Sequence, residues 1–282
     1  MSTSPARPGL PQPGLPLPRP YWQQMRAADL TGGDVARWIA VLPVAAIEQH
    51  GPHLPLGTDL IIAEGQVARI VERLPADLAV TFLPVQAIGC SLEHSDVPGT
   101  LTLDWDTAVK TWTAIGAGLA RAGIRKLVIA SSHGGNMSVA DIVALELRAR
   151  FGMLAVVTRF GRFGQPEGLF TRQEQSLGIH GGDIETSIML HLAPDLVAMD
   201  RAADFASAQA DHACRFTHLR AYGSHAYGWM ARDLNPAGAV GAASAATAEK
   251  GAASLTHTAD GFIALLRDVE AFDVTDFRPV PA

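Results

Sequence analysis

The chain has few cysteines, few basic clusters and no long apolar run, and each shortage closes off a class of protein. Two cysteines in 282 residues, Cys90 and Cys214, cannot make a disulfide framework. They suit a reducing compartment, so a cytoplasmic location is expected. The 22 Lys and Arg against 28 Asp and Glu give a net charge of −6, with no basic run longer than a few residues. Nucleic acid and anionic membranes are therefore excluded as expected partners. No apolar stretch reaches the roughly 18 residues of a membrane span. No Gly-x-Gly-x-x-Gly follows the first predicted strand, which argues against a dinucleotide-binding fold.

What is present is a hydrophobic content of 48%, enough for one large core. Residues 1–20 carry seven prolines and no apolar signal core, so they read as a flexible or polyproline-like arm ahead of a single domain at 21–282. Along that domain strands and helices alternate. Strands are expected near 38–47, 79–88, 126–131 and 153–159. Helices are expected at 59–73, 104–122, 137–151, 183–192 and about 243–269, with a long loop over 160–178. This alternation predicts an α/β fold of three layers, α/β/α, with a mainly parallel central sheet.

The most informative stretch is Glu48-Gln-His50-Gly-Pro-His53-Leu-Pro-Leu-Gly-Thr-Asp59, directly after the first apolar run. It sets two carboxylates and two imidazoles within twelve residues. That is a ligand set for Zn, Mn or Fe. In extended backbone Glu48 and His50 leave the same face, and the glycines and prolines after them make a loop able to return Asp59. Two more segments offer ligands. Ser132-His133-Gly-Gly-Asn136 ends a short strand, where open α/β sheets place their ligands. His180-Gly-Gly-Asp183-Ile-Glu185-Thr-Ser187 opens a helix.

Together with Gly89-Cys-Ser-Leu-Glu-His94…Pro98-Gly99-Thr100 and Asp233-Leu-Asn-Pro236…Glu249-Lys250-Gly251, these segments resemble the creatininase (creatinine amidohydrolase) family over roughly residues 20–270. The resemblance implies two divalent metal ions per chain. Glu48 and His133 would bind one, His50 the other, and Asp59 would bridge them. Creatinine-hydrolysing members carry a Glu where this chain has Gly135, and Glu185 is the expected replacement. Glu48, Asp59 and Glu185 would then set three negative charges against two divalent ions. Two such ions would activate a shared water for attack on an amide carbonyl, and His180 would be the acid or proton shuttle. His53, His94 and Asn136 would face substrate or support the ligands, and Asp183 would cap its helix or orient His180. A homo-oligomer, with a hexamer suspected, is also implied. The small residues of 237–248 would allow the close approach it needs.

The expected reaction is hydrolysis of a C–N bond, amide or formamide, cyclic or linear, in a small molecule. Creatinine-specific relatives close tryptophan over a flat ring, whereas Gln173–Gly178 holds no aromatic. The loop carries Phe160, Phe163 and Phe170, with Arg159, Arg162 and Arg172 as candidates for a phosphate. Other members of the family deformylate a pyrimidine nucleotide precursor or trim a cofactor-precursor peptide. Two alternatives are a non-catalytic metal-binding scaffold and a hydrolase using Cys90 with His94.

Overall fold

The structure, a computed structural model, describes residues 17–31 and 34–278. Residues 1–16 of the expected arm lie outside the described residues. The end of the arm is anchored, because the Pro20 carbonyl accepts the N–H of Phe82 at 2.8 Å.

Four strands, β1 (Ile39–Val44), β2 (Val80–Phe82), β3 (Lys126–Ser131) and β4 (Leu154–Arg159), make a parallel sheet in the order β2-β1-β3-β4. Crossover helices α1 (Thr58–Arg73), α2 (Trp105–Arg121) and α3 (Met137–Phe151) join them, and a long α8 (Ala248–Ala271) closes the fold. The central strands are aliphatic on both faces because helices cover both. From β1, Ala40, Leu42 and Val44 pack against Trp112 of α2 and Val143 and Leu147 of α3. The alternate residues Ile39 and Val41 pack against Val67 and Ile70 of α1 and Phe262 and Leu266 of α8. These are the three expected layers.

β2 is shorter than the strand expected at 79–88, and Pro43 explains why. The odd residues of β1 bond toward β2, and the register ends at Val41 opposite Phe82. Pro43 is next in line and has no N–H to donate, while Pro84 interrupts the facing strand. The chain leaves regular pairing there, though Gln86 still donates to the Pro43 carbonyl.

The loop expected over 160–178 contains α4 (Arg172–Leu177), and α5 (Asp183–Leu192) follows. Between α5 and α8 lie α6 (Ala208–Arg215), α7 (Ala231–Leu234) and an antiparallel pair, β5 (Asp204–Phe205) with β6 (Gly241–Ala242). The last helix starts at Ala248 rather than near 243, because the Thr247 hydroxyl caps it by accepting the Lys250 N–H. Some of the small residues of 237–248 pack inside the chain, while Ala237, Ser244, Ala245 and Thr247 are exposed. Ala239 is fully buried, in contact distance of Gly51 and Gly181.

α5 lies across α8 and α1, with Ile188 and Met189 packed against Leu255 and Ile62. The two helices approach at Gly251, where a Cβ would collide with the Ser187 carbonyl. Gly251→Ala therefore sets two effects against each other. Helix propensity favours Ala by about 1 kcal/mol, while overpacking costs about 1–3 kcal/mol. Net destabilisation in urea denaturation is expected, and a gain in stability would contradict this packing.

Candidate metal centre

The C-terminal ends of the two central strands face the first turns of two helices, and the candidate ligands meet between them. Glu48, Gln49 and His50 follow β1, and His133 follows β3. Asp59 lies in the first turn of α1, and Glu185 in that of α5. Gly181, in left-handed conformation at φ 65°, turns the chain from His180 into α5.

Glu48 Oε1 is the hub. It lies 3.2 Å from His133 Nδ1, 3.3 Å from His94 Nε2, 3.5 Å from His180 Nδ1 and 3.9 Å from His50 Nε2. Asp59 Oδ2 stands 3.7 Å from both His50 Nε2 and His133 Nδ1, and His50 Nε2 is 3.8 Å from Glu185 Oε2. Among the described residues three groups bring candidate ligand atoms close enough to hold a cation: Glu48 with His94 and His180, His50 with His180 and Glu185, and Glu48 with His50 and Asp59.

The imidazoles are turned for coordination. His50 Nδ1 faces the Glu48 main-chain carbonyl at 3.1 Å, an acceptor only, so the proton sits there and Nε2 points bare at the carboxylates. His133 Nε2 faces the Cys90 carbonyl at 2.9 Å, leaving Nδ1 for the cluster. Both Glu48 oxygens, Asp59 Oδ2 and His50 Nε2 are buried without any hydrogen-bond partner among the described residues. Unpaired buried carboxylates are costly, and acceptor atoms of carboxylate and imidazole converging in this way fit hard or borderline divalent cations.

The electrostatics show the same need. Burial and the neighbouring Glu48 push the Asp59 pKa well above the carboxylate range, and burial raises Glu185. Burial also disfavours charge on Glu48, but His133 and the other imidazoles outweigh it and hold its pKa well below normal. On His133 burial opposes protonation, yet Glu48, Glu93 and Asp59 keep its pKa well above the usual value. Burial, with neighbouring histidines, lowers His94 to about 2 and His180 to about 4.

A family model for creatininase, creatinine amidohydrolase, matches residues 23–266. The chain belongs to the creatininase family. It is 29% identical over 174 residues to the mycofactocin precursor peptide peptidase of Mycolicibacterium smegmatis, a match covering 57% of this chain and 61% of that protein. The chain thus spans about three-fifths of the length of that relative. It is 32% identical over 199 residues to the creatinine amidohydrolase of Pseudomonas putida, covering 65% and 74% respectively. Among solved structures it is similar to a creatinine amidohydrolase (creatininase), with a TM-score of 0.71 and 25% identity, covering 90% of this chain and 99% of that one. A Mn creatininase gives 0.70 and 26%, covering 88% and 98%.

The remaining expected site residues of this creatininase-family chain divide. His94 joins the centre directly. His53 lies outside it, with Nε2 2.9 Å from the Thr186 hydroxyl and its ring stacked on Phe205. Asn136 is a tie among three segments. Its Oδ1 accepts the Cys90 N–H, and its Nδ2 donates to the Ala45 carbonyl and the Ser131 hydroxyl. Asp183 neither caps its helix nor touches His180. It accepts from Lys250 Nζ at 2.7 Å and from the Ser187 hydroxyl at 2.9 Å, clamping α5 to α8. Phe160 and Phe163 pack in the core against Phe262, and Phe170 is buried beside the Lys250 ammonium, which lies 5.5 Å from its ring centre. Arg162 donates to the Val157 carbonyl.

Several participants carried no sequence signal of their own. Gln49 lies hidden between two ligand residues, and Glu93 reaches within 3.4 Å of His133 Nε2. Glu174 is buried and accepts the Ala242 N–H at 2.8 Å, propping the turn before α5. Only the fold brings these to the site.

The raised pKa values of Asp59, Glu185 and His133 set the sign of a pH effect. Protonated forms stabilise the metal-free fold at low pH, and that contribution is lost as pH rises through the raised values. Cations require the deprotonated ligands. Zinc affinity should therefore climb with pH from the carboxylate range, about 4, up past the ordinary histidine value near 6.5. Calorimetry in buffers of different ionisation enthalpy should show net proton release on zinc binding near pH 6, and zero release would contradict this assignment.

Proposed function

We propose that this creatininase-family chain is a metal-dependent amidohydrolase. Its ligands would be Glu48, His50, Asp59, His133 and Glu185, and His180 would carry the proton. The observation that supports this most is the unpartnered convergence of Glu48, Asp59 and His50 acceptor atoms in a dry pocket beside a neutral imidazole. Two divalent ions of Zn, Mn or Fe held there would lower the pKa of a water and polarise a carbonyl.

The chain's own residues supply the proton route. His180 keeps its Nε2 proton on the Gln49 main-chain carbonyl at 2.7 Å, so Nδ1 faces the centre bare. With burial holding its pKa near 4, His180 begins neutral at pH 7 and acts first as acceptor. It takes a proton from the attacking water and hands it to the departing nitrogen, since an amide nitrogen leaves poorly as an anion. Glu48 and Asp59, both excluded from solvent, hold the charge that keeps the centre assembled.

The substrate class is an amide in a small molecule or short peptide. One relative is a creatinine amidohydrolase and another a peptide peptidase, so peptide bonds belong in the class alongside other C–N bonds. Phe160 and Phe163 are committed to the core, and 173–178 holds no aromatic to close over a flat ring as creatinine would need. A panel of cyclic amides, formamides and short peptides would identify the substrate. The Cys90 alternative is disfavoured, because burial raises the thiol pKa and removes the thiolate. No helix among the described residues is long and apolar enough to cross a membrane. The expected cytoplasmic homo-oligomer would have exposed Leu92, Trp105 and Leu145 to bury.

His180→Ala should keep both metals while kcat falls by about 10²–10⁴, the usual loss for a general acid or base. Glu185→Ala should bind one metal weakly or not at all, with partial recovery in excess metal. Elemental analysis beside kinetics reads both variants. The reverse pattern, with His180→Ala emptying a site and Glu185→Ala fully loaded, would overturn the assignment.

A further inference from the structure

Gln49 is 5% exposed and lies between two ligand residues, yet neither the ligand scheme nor the proton route uses its side chain. Its amide is oriented from both ends. Oε1 accepts the N–H of Gly51 at 2.9 Å, and Nε2 donates to the Gly238 carbonyl at 2.7 Å. A flipped amide would set N–H against N–H and oxygen against oxygen. Nε2 has one hydrogen left. His94 Nδ1 at 2.7 Å is nearer to it than His180 Nε2 at 3.3 Å, which has the Gln49 main-chain carbonyl at 2.7 Å for its own proton. His94 Nδ1 must accept, so His94 bears its proton on Nε2, which faces Glu48 Oε1 at 3.3 Å.

His180 is turned the other way. Its Nε2 faces the main-chain carbonyl of the same Gln49, so its bare Nδ1 is the atom presented to Glu48 Oε1, at 3.5 Å. The two rings stack with centroids 4.2 Å apart. One residue thus fixes two adjacent imidazoles with opposite polarity toward a single carboxylate.

The geometry assigns Gln49 a positioning role: it turns the N–H of His94 toward Glu48, so that His94 supports this carboxylate electrostatically from 3.3 Å rather than binding a metal, and it reserves Nδ1 of His180 for the proton in flight. The statement about His180 rests on the amidohydrolase reading, while the proton positions and the support of Glu48 do not. An N–H pointed at a ligand carboxylate favours its charged form and biases its orientation. Losing such outer support typically weakens metal binding about 10–100-fold. The same arithmetic predicts how substitutions at 49 and 94 should behave. Gln49→Met keeps the length but removes the donor. His94→Leu removes the N–H. In His94→Gln, the amide nitrogen can stand where Nε2 stood.

Neutron diffraction from crystals of the zinc-loaded full chain reads the protons directly. Deuterium is expected on Nε2 of His94 and of His180, with none on either Nδ1. Deuterium on Nδ1 of His94 would overturn the proposal. Zinc dissociation constants by chelator competition give the second arm. Gln49→Met and His94→Leu should weaken zinc about 10–100-fold, with His94→Gln near wild type. Unchanged affinity in the first two, or loss of zinc in His94→Gln as a true ligand would show, also overturns it. If Gln49→Met does not fold, the wild-type neutron map and the His94 pair still decide. A chain with these protons and this zinc affinity that cleaves no amide would overturn the amidohydrolase reading and leave the role of Gln49 standing.

Discussion

Three carboxylates within reach of one another, two of them buried and one half-buried, are the constraint on which the rest of this molecule turns. Glu48 and Asp59 are almost wholly excluded from water, and Glu185 joins them at the mouth. Without cations such a group sheds charge by protonation, which burial first and repulsion from Glu48 second both favour, as the raised pKa values of Asp59 and Glu185 describe. With cations the same group becomes a binding site, and the cost of burial is offset by coordination. The imidazoles complete this logic. Each is turned by a main-chain carbonyl or an amide so that a chosen nitrogen faces the carboxylates.

The fold exists to hold that charge in register. β1 and β3 are buried on both faces and therefore rigid, and their ends deliver Glu48, His50 and His133 side by side. α1 and α5 bring Asp59 and Glu185 in their first turns, where the helix dipole favours a negative charge. α5 must be fixed for this to work, and three devices fix it. Gly251 lets α8 approach closely, the Asp183–Lys250 pair clamps the two helices, and Glu174 props the preceding turn. Asn136 does the same for the β3 end, tying it to the Ala45 carbonyl after β1 and to the N–H of Cys90, whose carbonyl orients His133.

Much of this was legible in the sequence, for identifiable reasons. Strands buried on both faces are continuous aliphatic runs, and helices carry their 3.6-residue period, so the alternating order and the three layers could be read. The cluster of candidate ligands was legible because its chemistry is dense locally: Glu48, His50 and Asp59 fall within twelve residues. What failed depends on contacts between distant residues. Pro43 ends β2 by removing a donor from the neighbouring strand. Asp183 looked like a helix cap until Lys250, 67 residues on, supplied its partner. Phe160 and Phe163 looked available to a substrate until Phe262 of α8 drew them inward. Gln49 was invisible for the opposite reason. It sits inside the motif, but its role lies in bonds to Gly238 and His94 that no local pattern encodes.

The claim that two cations resolve the buried carboxylates is tested most directly by anomalous diffraction from zinc-loaded crystals at the zinc edge. The account predicts two peaks per chain about 3.5–4 Å apart, the spacing of paired catalytic metals. One should lie against Glu48 and His133, the other against His50 and Glu185, with Asp59 between them. A single peak, or a pair placed on other residues, would contradict it.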